Sequence, residues 1–192
     1  STMIERINSN QNPNFFFLTY SKDWSIENFL IIPKQFFTTE IIVKRKPLSA
    51  TAKRAGWIGC NIDISNVAEA GKVFLVKDTK MIDRKVVENS FNQTLFLREK
   101  SNDSKGWILD IMLCVDAIKK NDFTLDEIYK FENKLKLKYP NNNFIKDKIR
   151  QQLQVLRDKG IIEFVGRGNY KKVKYGTFKI EVKETLSRII EI

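Results

Sequence analysis

The spacing of the apolar residues changes character once along this chain, near residues 101–105. Before that point the apolar residues form short runs of aromatic and β-branched side chains, which is typical of strands. After it they recur every three to four residues, as on one face of a helix. The sequence therefore predicts an α+β fold, with a sheet-forming domain over residues 1–102 and a helical domain over residues 103–192.

The helical domain carries start and stop signals for three helices. Apolar residues at helical spacing predict the first helix over residues 107–118. A capping box, TLDE at 124–127, starts a second helix that Pro140 ends. The asparagines at 141–143 are expected to cap a third helix, which Gly160 ends.

Two strands around a glycine turn are expected over residues 161–180, and a short amphipathic helix over 181–192. Three helices followed by a two-stranded wing is the order of a winged helix-turn-helix. In the first domain residues 1–10 resemble the end of a helix, and the pattern over 83–96 is weakly helical. Five strands are expected there, over residues 14–20, 26–32, 40–43, 56–62 and 72–76.

The charge of the chain favours a polyanionic partner. Lys and Arg number 34 against 23 Asp and Glu, which gives a net charge of +11. The alternative is a protein that is basic only for solubility. Apolar runs are too short to span a bilayer and no signal peptide opens the sequence, so we expect a cytoplasmic protein without a membrane partner.

The absence of histidine excludes several chemistries. Catalytic Ser-His and Cys-His pairs and imidazole-bound zinc all need this residue, and the sequence has none. The two cysteines, Cys60 and Cys114, are far apart and indicate neither a zinc site nor a disulfide framework. Acid-x-Lys triplets begin at Asp78, Asp83, Glu132 and Glu181, but a lysine-rich chain contains such triplets by chance. We therefore predict no catalytic residue and no metal ligand in this sequence.

The third helix and the wing form the stronger of two candidate DNA-binding regions. Apolar residues occupy one face of the helix, and Lys, Arg and Gln occupy another, where Arg and Gln could hydrogen-bond base edges in a major groove. The alternative is an ordinary solvated helix face, because these residues are good helix formers. Residues 141–179 hold ten Lys or Arg against three acids, which favours DNA. The predicted contacts are Lys146, Lys148, Arg150, Gln151, Gln154 and Arg157 on the helix, with Arg167, Tyr170, Lys171 and Lys172 on the wing.

A second basic stretch lies in the first domain, and no acidic residue interrupts residues 41–62. Small and turn-forming residues separate its cations, and Trp57 follows them. Such a loop could track phosphates and present an aromatic surface to a base or to a methyl group on a base. The alternative for Trp57 is burial in the core. The predicted contacts are Lys44, Arg45, Lys46, Lys53, Arg54 and Trp57.

Long strings of this sequence resemble the DpnI-type methyl-directed type II restriction endonucleases. The resemblance runs in order from residue 2 to residue 173. It is carried by NPNFFFLTY at 12–20, FLIIPKQF at 29–36, RKPL at 45–48, RAGWIGCNID at 54–63, KIRQQLQVLRDK at 148–159, IIEF at 161–164 and GRG at 166–168.

The resemblance implies Mg²⁺-dependent cleavage of GATC when its adenine is N6-methylated. It also implies a PD-(D/E)xK nuclease domain followed by a winged helix, with both parts reading methylated DNA and Trp57 facing the target bases. The family's catalytic carboxylates and its Cys-x-x-Cys pairs lie before the point where this sequence begins. We therefore expect an incomplete PD-(D/E)xK-like sheet, no cofactor held by this chain, and an enzymatic activity that the sequence leaves open.

The expected function is binding of double-stranded DNA at adenine-methylated GATC, by a monomer, as part of such an endonuclease. The rival is a non-catalytic winged-helix regulator that binds DNA without regard to methylation. An RNA-binding protein is a third possibility, which the lack of aromatic stacking motifs disfavours.

Overall fold

A computed structural model describes residues 2–9 and 11–173. Over these residues both helices and strands are present, which confirms the α+β class. The helices are α1 (Thr2–Asn8), α2 (Arg84–Thr94), α3 (Asn102–Ala117), α4 (Leu125–Tyr129), α5 (Glu132–Lys138) and α6 (Ile145–Asp158). The strands are β1 (Phe15–Tyr20), β2 (Ile26–Ile32), β3 (Ile42–Lys44), β4 (Cys60–Ile62), β5 (Val73–Lys77), β6 (Lys80–Met81), β7 (Asp122–Thr124), β8 (Ile162–Gly166) and β9 (Asn169–Lys172).

The first domain is built around an antiparallel sheet with the strand order β1-β2-β5-β6. In its first hairpin Phe16 lies opposite Ile31 and Phe17 lies opposite Leu30. Side chains alternate between the two faces of a strand, so Leu30 and Ile32 are buried while Phe16 is 58% exposed. One face of the sheet therefore packs on the core, and β1 forms a sheet edge.

Two of the five predicted strands are shorter than expected. The run at 40–43 begins with a 3-10 turn over Thr39–Ile41, and only Ile42–Lys44 pairs as a strand. Its apolar character reflects Ile41, which is completely buried in the turn. In the run at 56–62 a turn with Gly56 at φ +76° precedes the strand, which begins only at Cys60.

The weakly helical region is the helix α2. The Asp83 carboxylate accepts a hydrogen bond from the backbone N–H of Lys85 at 2.9 Å, which caps the helix start. The short strand β6 before it was not predicted. It pairs with β5 through a tight turn in which Asp78 and Thr79 both have positive φ.

The first helix of the helical domain starts at Asn102, five residues earlier than predicted, and the second helix is interrupted. The capping box is confirmed: the Thr124 hydroxyl accepts from the Glu127 N–H at 3.2 Å, and the Glu127 carboxylate accepts from the Thr124 N–H at 2.9 Å. The chain then forms α4 and α5, separated at Lys130 and Phe131.

The prediction that asparagines cap the third helix was wrong in detail. Phe144 occupies the N-cap position of α6 and makes no side-chain capping bond. Asn142 instead closes the preceding turn, because its side-chain oxygen accepts from the Phe144 N–H at 2.8 Å. The helix ends at Asp158, and Gly160 follows with φ +68°, as the sequence indicated.

The wing is a three-stranded sheet with the order β7-β9-β8. The hairpin of β8 and β9 turns at Gly168, which has φ +72°. The predicted second strand is found over Asn169–Lys172. Its predicted continuation to residue 180 and the helix predicted over 181–192 lie outside the described residues.

One hydrophobic core joins the two predicted domains. It contains Ile32 and Phe36 from the first and Ile111 and Leu153 from the second. The predicted boundary between residues 102 and 103 falls in the first turn of α3. Because α3 packs against α6 on one side and the turn over Glu69–Gly71 on the other, the helical domain is anchored to the sheet domain.

Polar bonds reinforce this junction. Asp110 is 9% exposed and accepts hydrogen bonds from the Lys138 ammonium at 2.8 Å and from the Tyr139 hydroxyl at 2.6 Å. Lys138 also pairs with Glu40 of the first domain at 2.7 Å. Burial and the bond to Asp110 raise the pKa of Tyr139, so it acts as a donor at neutral pH.

Candidate nucleic-acid interface

The helix α6 has the two faces that its sequence indicates. Its apolar residues Ile145, Ile149, Leu153 and Leu156 are at most 4% exposed and hold the helix on the core. The residues predicted to contact DNA on the other face are Lys146, Arg150, Gln151, Gln154 and Arg157, and all are exposed.

Arg150 is held in place before any DNA binds. Its guanidinium donates to the Tyr129 hydroxyl at 3.2 Å and pairs with the Asp147 carboxylate. The hydrogen bond to Tyr129 is the largest cause of the raised pKa of Arg150, and the charge of Asp147 adds to it. The Lys146 ammonium lies 5.3 Å from the centre of the Tyr129 ring and 3.5 Å from Glu132. Tyr129 therefore contacts two cations of the exposed face of α6, Lys146 and Arg150. The sequence did not reveal this role.

The other helix residues differ in burial and in the contacts that their side chains already make within the protein. The Gln151 side chain accepts from Gln152 at 3.3 Å, and Arg157 pairs with Asp158 at 2.8 Å. Lys148 is half-buried, and its ammonium lies 6.0 Å from the Trp107 ring centre, so it faces α3. Lys148 is thus placed less favourably for a base contact than its neighbours on the exposed face.

The wing residues divide by strand alternation. Arg167 at the turn and Lys171 on β9 are exposed. Tyr170 is half-buried and stacks on Phe123 with 5.5 Å between ring centres. Lys172 points the same way as Tyr170, and its ammonium donates to the Ile118 carbonyl. Burial lowers the pKa of Lys172, and we interpret this residue as a packing contact of the wing rather than a phosphate ligand.

The basic stretch of the first domain forms an extended loop between β3 and β4. Backbone bonds join Arg45 to Gly59 at 3.0 Å and Leu48 to Trp57 at 2.9 Å, so the loop continues the hairpin beyond its strands. Five cations of this stretch, called the loop cations, are exposed: Lys44 at the end of β3, and Arg45, Lys46, Lys53 and Arg54 in the loop. Within residues 2–9 and 11–173, none of them forms an ion pair.

Trp57 is not a core tryptophan. Its side chain is 54% exposed, whereas Trp107 is 2% exposed. The ring rests against the backbone at Gly59, where an added Cβ would lie 2.9 Å from a ring carbon. Glycine at 59 therefore permits the close approach of the Trp57 ring to the backbone, with the Arg45 side chain nearby.

The structure brings the helix residues and the wing close together, because Arg150 and Arg157 of α6 act electrostatically on Tyr170 of the wing. It joins the loop cations to neither of them: in the part of the chain that the structure describes, no hydrogen bond, ion pair or ring contact links residues 44–57 to α6 or to the wing. The candidate interface thus consists of two separate basic surfaces on one core.

The described residues do not provide a metal site. Over residues 2–9 and 11–173, no group of three or more His, Cys, Asp or Glu is placed to hold a metal ion. These residues therefore do not fit the Mg²⁺ that the resemblance implies, and no metal-dependent step is derived from them. No helix among them is long and apolar enough to cross a membrane.

Comparison with protein families identifies both parts of the chain. The model of the DpnI, Dam-replacing family matches residues 1–100. The model of the Dam-replacing HTH domain matches residues 103–172, which include α6 and the wing. The protein therefore belongs to the DpnI, Dam-replacing family of restriction proteins and carries that family's DNA-binding helix-turn-helix domain.

Proposed function

We propose that this protein binds double-stranded DNA as a monomer at GATC sequences whose adenine is N6-methylated, in the service of a restriction system. Its family membership supports DNA binding in such a system. The methyl dependence rests on the exposure of Trp57, which follows a basic stretch whose five cations have no ion-pair partners among the described residues. An N6-methyl group projects from the base edge in the major groove and offers an apolar feature to an aromatic ring.

We further propose that the sheet β1-β2-β5-β6 corresponds to part of a PD-(D/E)xK nuclease domain. The match of the DpnI family model to residues 1–100 supports this assignment. Cleavage by such a domain needs paired carboxylates around Mg²⁺. We expect the purified 192-residue chain to leave methylated plasmid uncut in Mg²⁺, and specific cutting at GATC would refute that expectation.

The test of methyl dependence is a binding titration with two duplexes that differ only in adenine methylation of one GATC. The salt concentration is fixed near 0.15 M, because affinity for DNA depends steeply on salt. We expect a preference for the methylated duplex of about tenfold or more, equivalent to ~1.4 kcal/mol. Equal affinity for both would favour the rival, a winged-helix regulator without methyl dependence.

Two tryptophan variants test whether Trp57 is responsible for the preference for methylated DNA. Trp57→Ala should lose most of the preference while still binding DNA. Trp24→Ala is the matched control, because Trp24 is 77% exposed but lies in the turn between β1 and β2, outside the basic stretch. A methyl preference that survives in Trp57→Ala would remove Trp57 from the proposal.

A further inference from the structure

An aromatic side chain stands exposed at the start of the recognition helix. Phe144 is 71% exposed and directly precedes Ile145, the first residue of α6. Ile145 itself is 4% exposed and anchors the helix on the core. The chain thus buries one apolar residue at this point and leaves the larger one in solvent.

The backbone that carries Phe144 is held by side chains on both sides of the turn. The Lys136 ammonium donates to the Asn142 carbonyl at 2.8 Å and to the Asn143 side chain at 3.2 Å. The Asn142 side chain accepts from the Phe144 N–H at 2.8 Å. The Lys136 ammonium therefore stabilises the turn. The exposed Phe144 ring projects from a backbone position that these hydrogen bonds fix.

In a helix-turn-helix domain the N-terminal end of the recognition helix lies closest to the base edges. A phenyl ring at this end cannot hydrogen-bond a base, but it can contact a methyl group. Methyl groups are the apolar features of the major groove, and phenylalanine is among the side chains that contact them. The phenyl ring, which is exposed to solvent in the free protein, would then be buried against a methyl group in the complex, and removing this apolar surface from water favours binding.

We propose that Phe144 is a specificity-determining residue that contacts a base-borne methyl group in the major groove. The inference rests on the proposed function, because it takes α6 as the recognition helix. Within GATC two sources offer the same chemistry: the 5-methyl group of thymine and the N6-methyl group of adenine.

Four duplexes separate these sources. They carry either adenine or N6-methyladenine, and either thymine or uracil, which lacks the 5-methyl group. The contact of Phe144 with one methyl group should contribute about fourfold to affinity, or ~0.8 kcal/mol. If that group is the N6-methyl, this factor is a share of the tenfold or larger preference of the intact protein. Phe144→Ala should reduce the corresponding difference about fourfold, and Phe144→Leu should reduce it less.

Leu137→Ala is the control for loss of exposed apolar surface on the same domain. Leu137 is 85% exposed on α5, outside the recognition helix. Both truncated side chains are exposed, and a circular dichroism melt of each variant verifies that it is folded. Leu137→Ala should discriminate among the four duplexes as the intact protein does.

The results distinguish the failure of this inference from failure of the proposed function. Loss of thymine or of N6-methyl discrimination in Phe144→Ala alone supports the inference and names the methyl group. Full retention of both differences in Phe144→Ala overturns it, as does an equal loss in Leu137→Ala. An intact protein that ignores N6-methylation refutes the proposed function, while its comparison of thymine with uracil still tests Phe144.

Discussion

Replacing loop cations should change the salt dependence of DNA binding by an amount that the structure predicts. Lys44, Lys46 and Lys53 are exposed and have no ion-pair partner among the described residues, so each can neutralise one DNA phosphate. The plot of log K against log salt has a negative slope, and each such contact increases the magnitude of that slope by about 0.9. The triple variant Lys44→Gln, Lys46→Gln, Lys53→Gln should therefore lose about 2.7 from the magnitude of that slope.

The same relation gives the loss of affinity. Extrapolated from 1 M salt, three lost contacts weaken binding at about 0.15 M salt by roughly 170-fold. Arg45 is left in place, because its side chain lies near Gly59, which supports the Trp57 ring. The assay is fluorescence anisotropy with one labelled duplex over a series of potassium chloride concentrations.

Arg157→Gln is the matched comparison. Arg157 is already paired with Asp158 at 2.8 Å, so its phosphate contact would release less net charge and its removal should lower the slope by less than 0.9. An unchanged slope in the triple loop variant would show that the loop does not contact phosphates. The reasoning from unpaired charge would also fail if Arg157→Gln changed the slope as much per residue as the loop variant.

Three further predictions concern single contacts. Tyr129→Phe removes the 3.2 Å hydrogen bond to Arg150 without removing charge, so we expect DNA affinity to fall severalfold with an unchanged salt slope, measured in the same titration. Thr124→Ala removes the N-cap of α4 and should lower the free energy of unfolding by about 1 kcal/mol in a urea titration, and an unchanged value would contradict the capping role. Burial raises the pKa of Asp116, so its stabilising effect is complete below the ordinary value of 3.8 and is lost as pH rises through the raised value. Asp116→Asn should flatten that decrease in unfolding free energy, which urea titrations at several pH values would measure.

The sequence was most informative where a local rule decides the structure. The capping box at Thr124 and Glu127 needs only the spacing of two residues, and it forms as predicted. The buried face of α6 follows from helical periodicity, so Ile149 and Leu153 could be placed on the core without knowing what they touch.

Tertiary contacts decided the rest. Exposure of Trp57 depends on a turn and on the backbone at Gly59, which composition does not encode. Phe144 was missed because asparagines are strong capping residues and drew the prediction to positions 141–143. Lys171 and Lys172 look alike in sequence, but strand alternation exposes the first and turns the second towards the Ile118 carbonyl.

The shared core has a consequence for protein engineering. A family boundary falls between residues 100 and 103, which suggests a module that could be exchanged between relatives. Separating the two parts there would break the packing of α3 on the turn over Glu69–Gly71 and the pairing of Lys138 with Glu40. A chimaera that transplants the helix-turn-helix domain must therefore match its buried surface to that of the new sheet domain. The alternative is to redesign both contacting surfaces together.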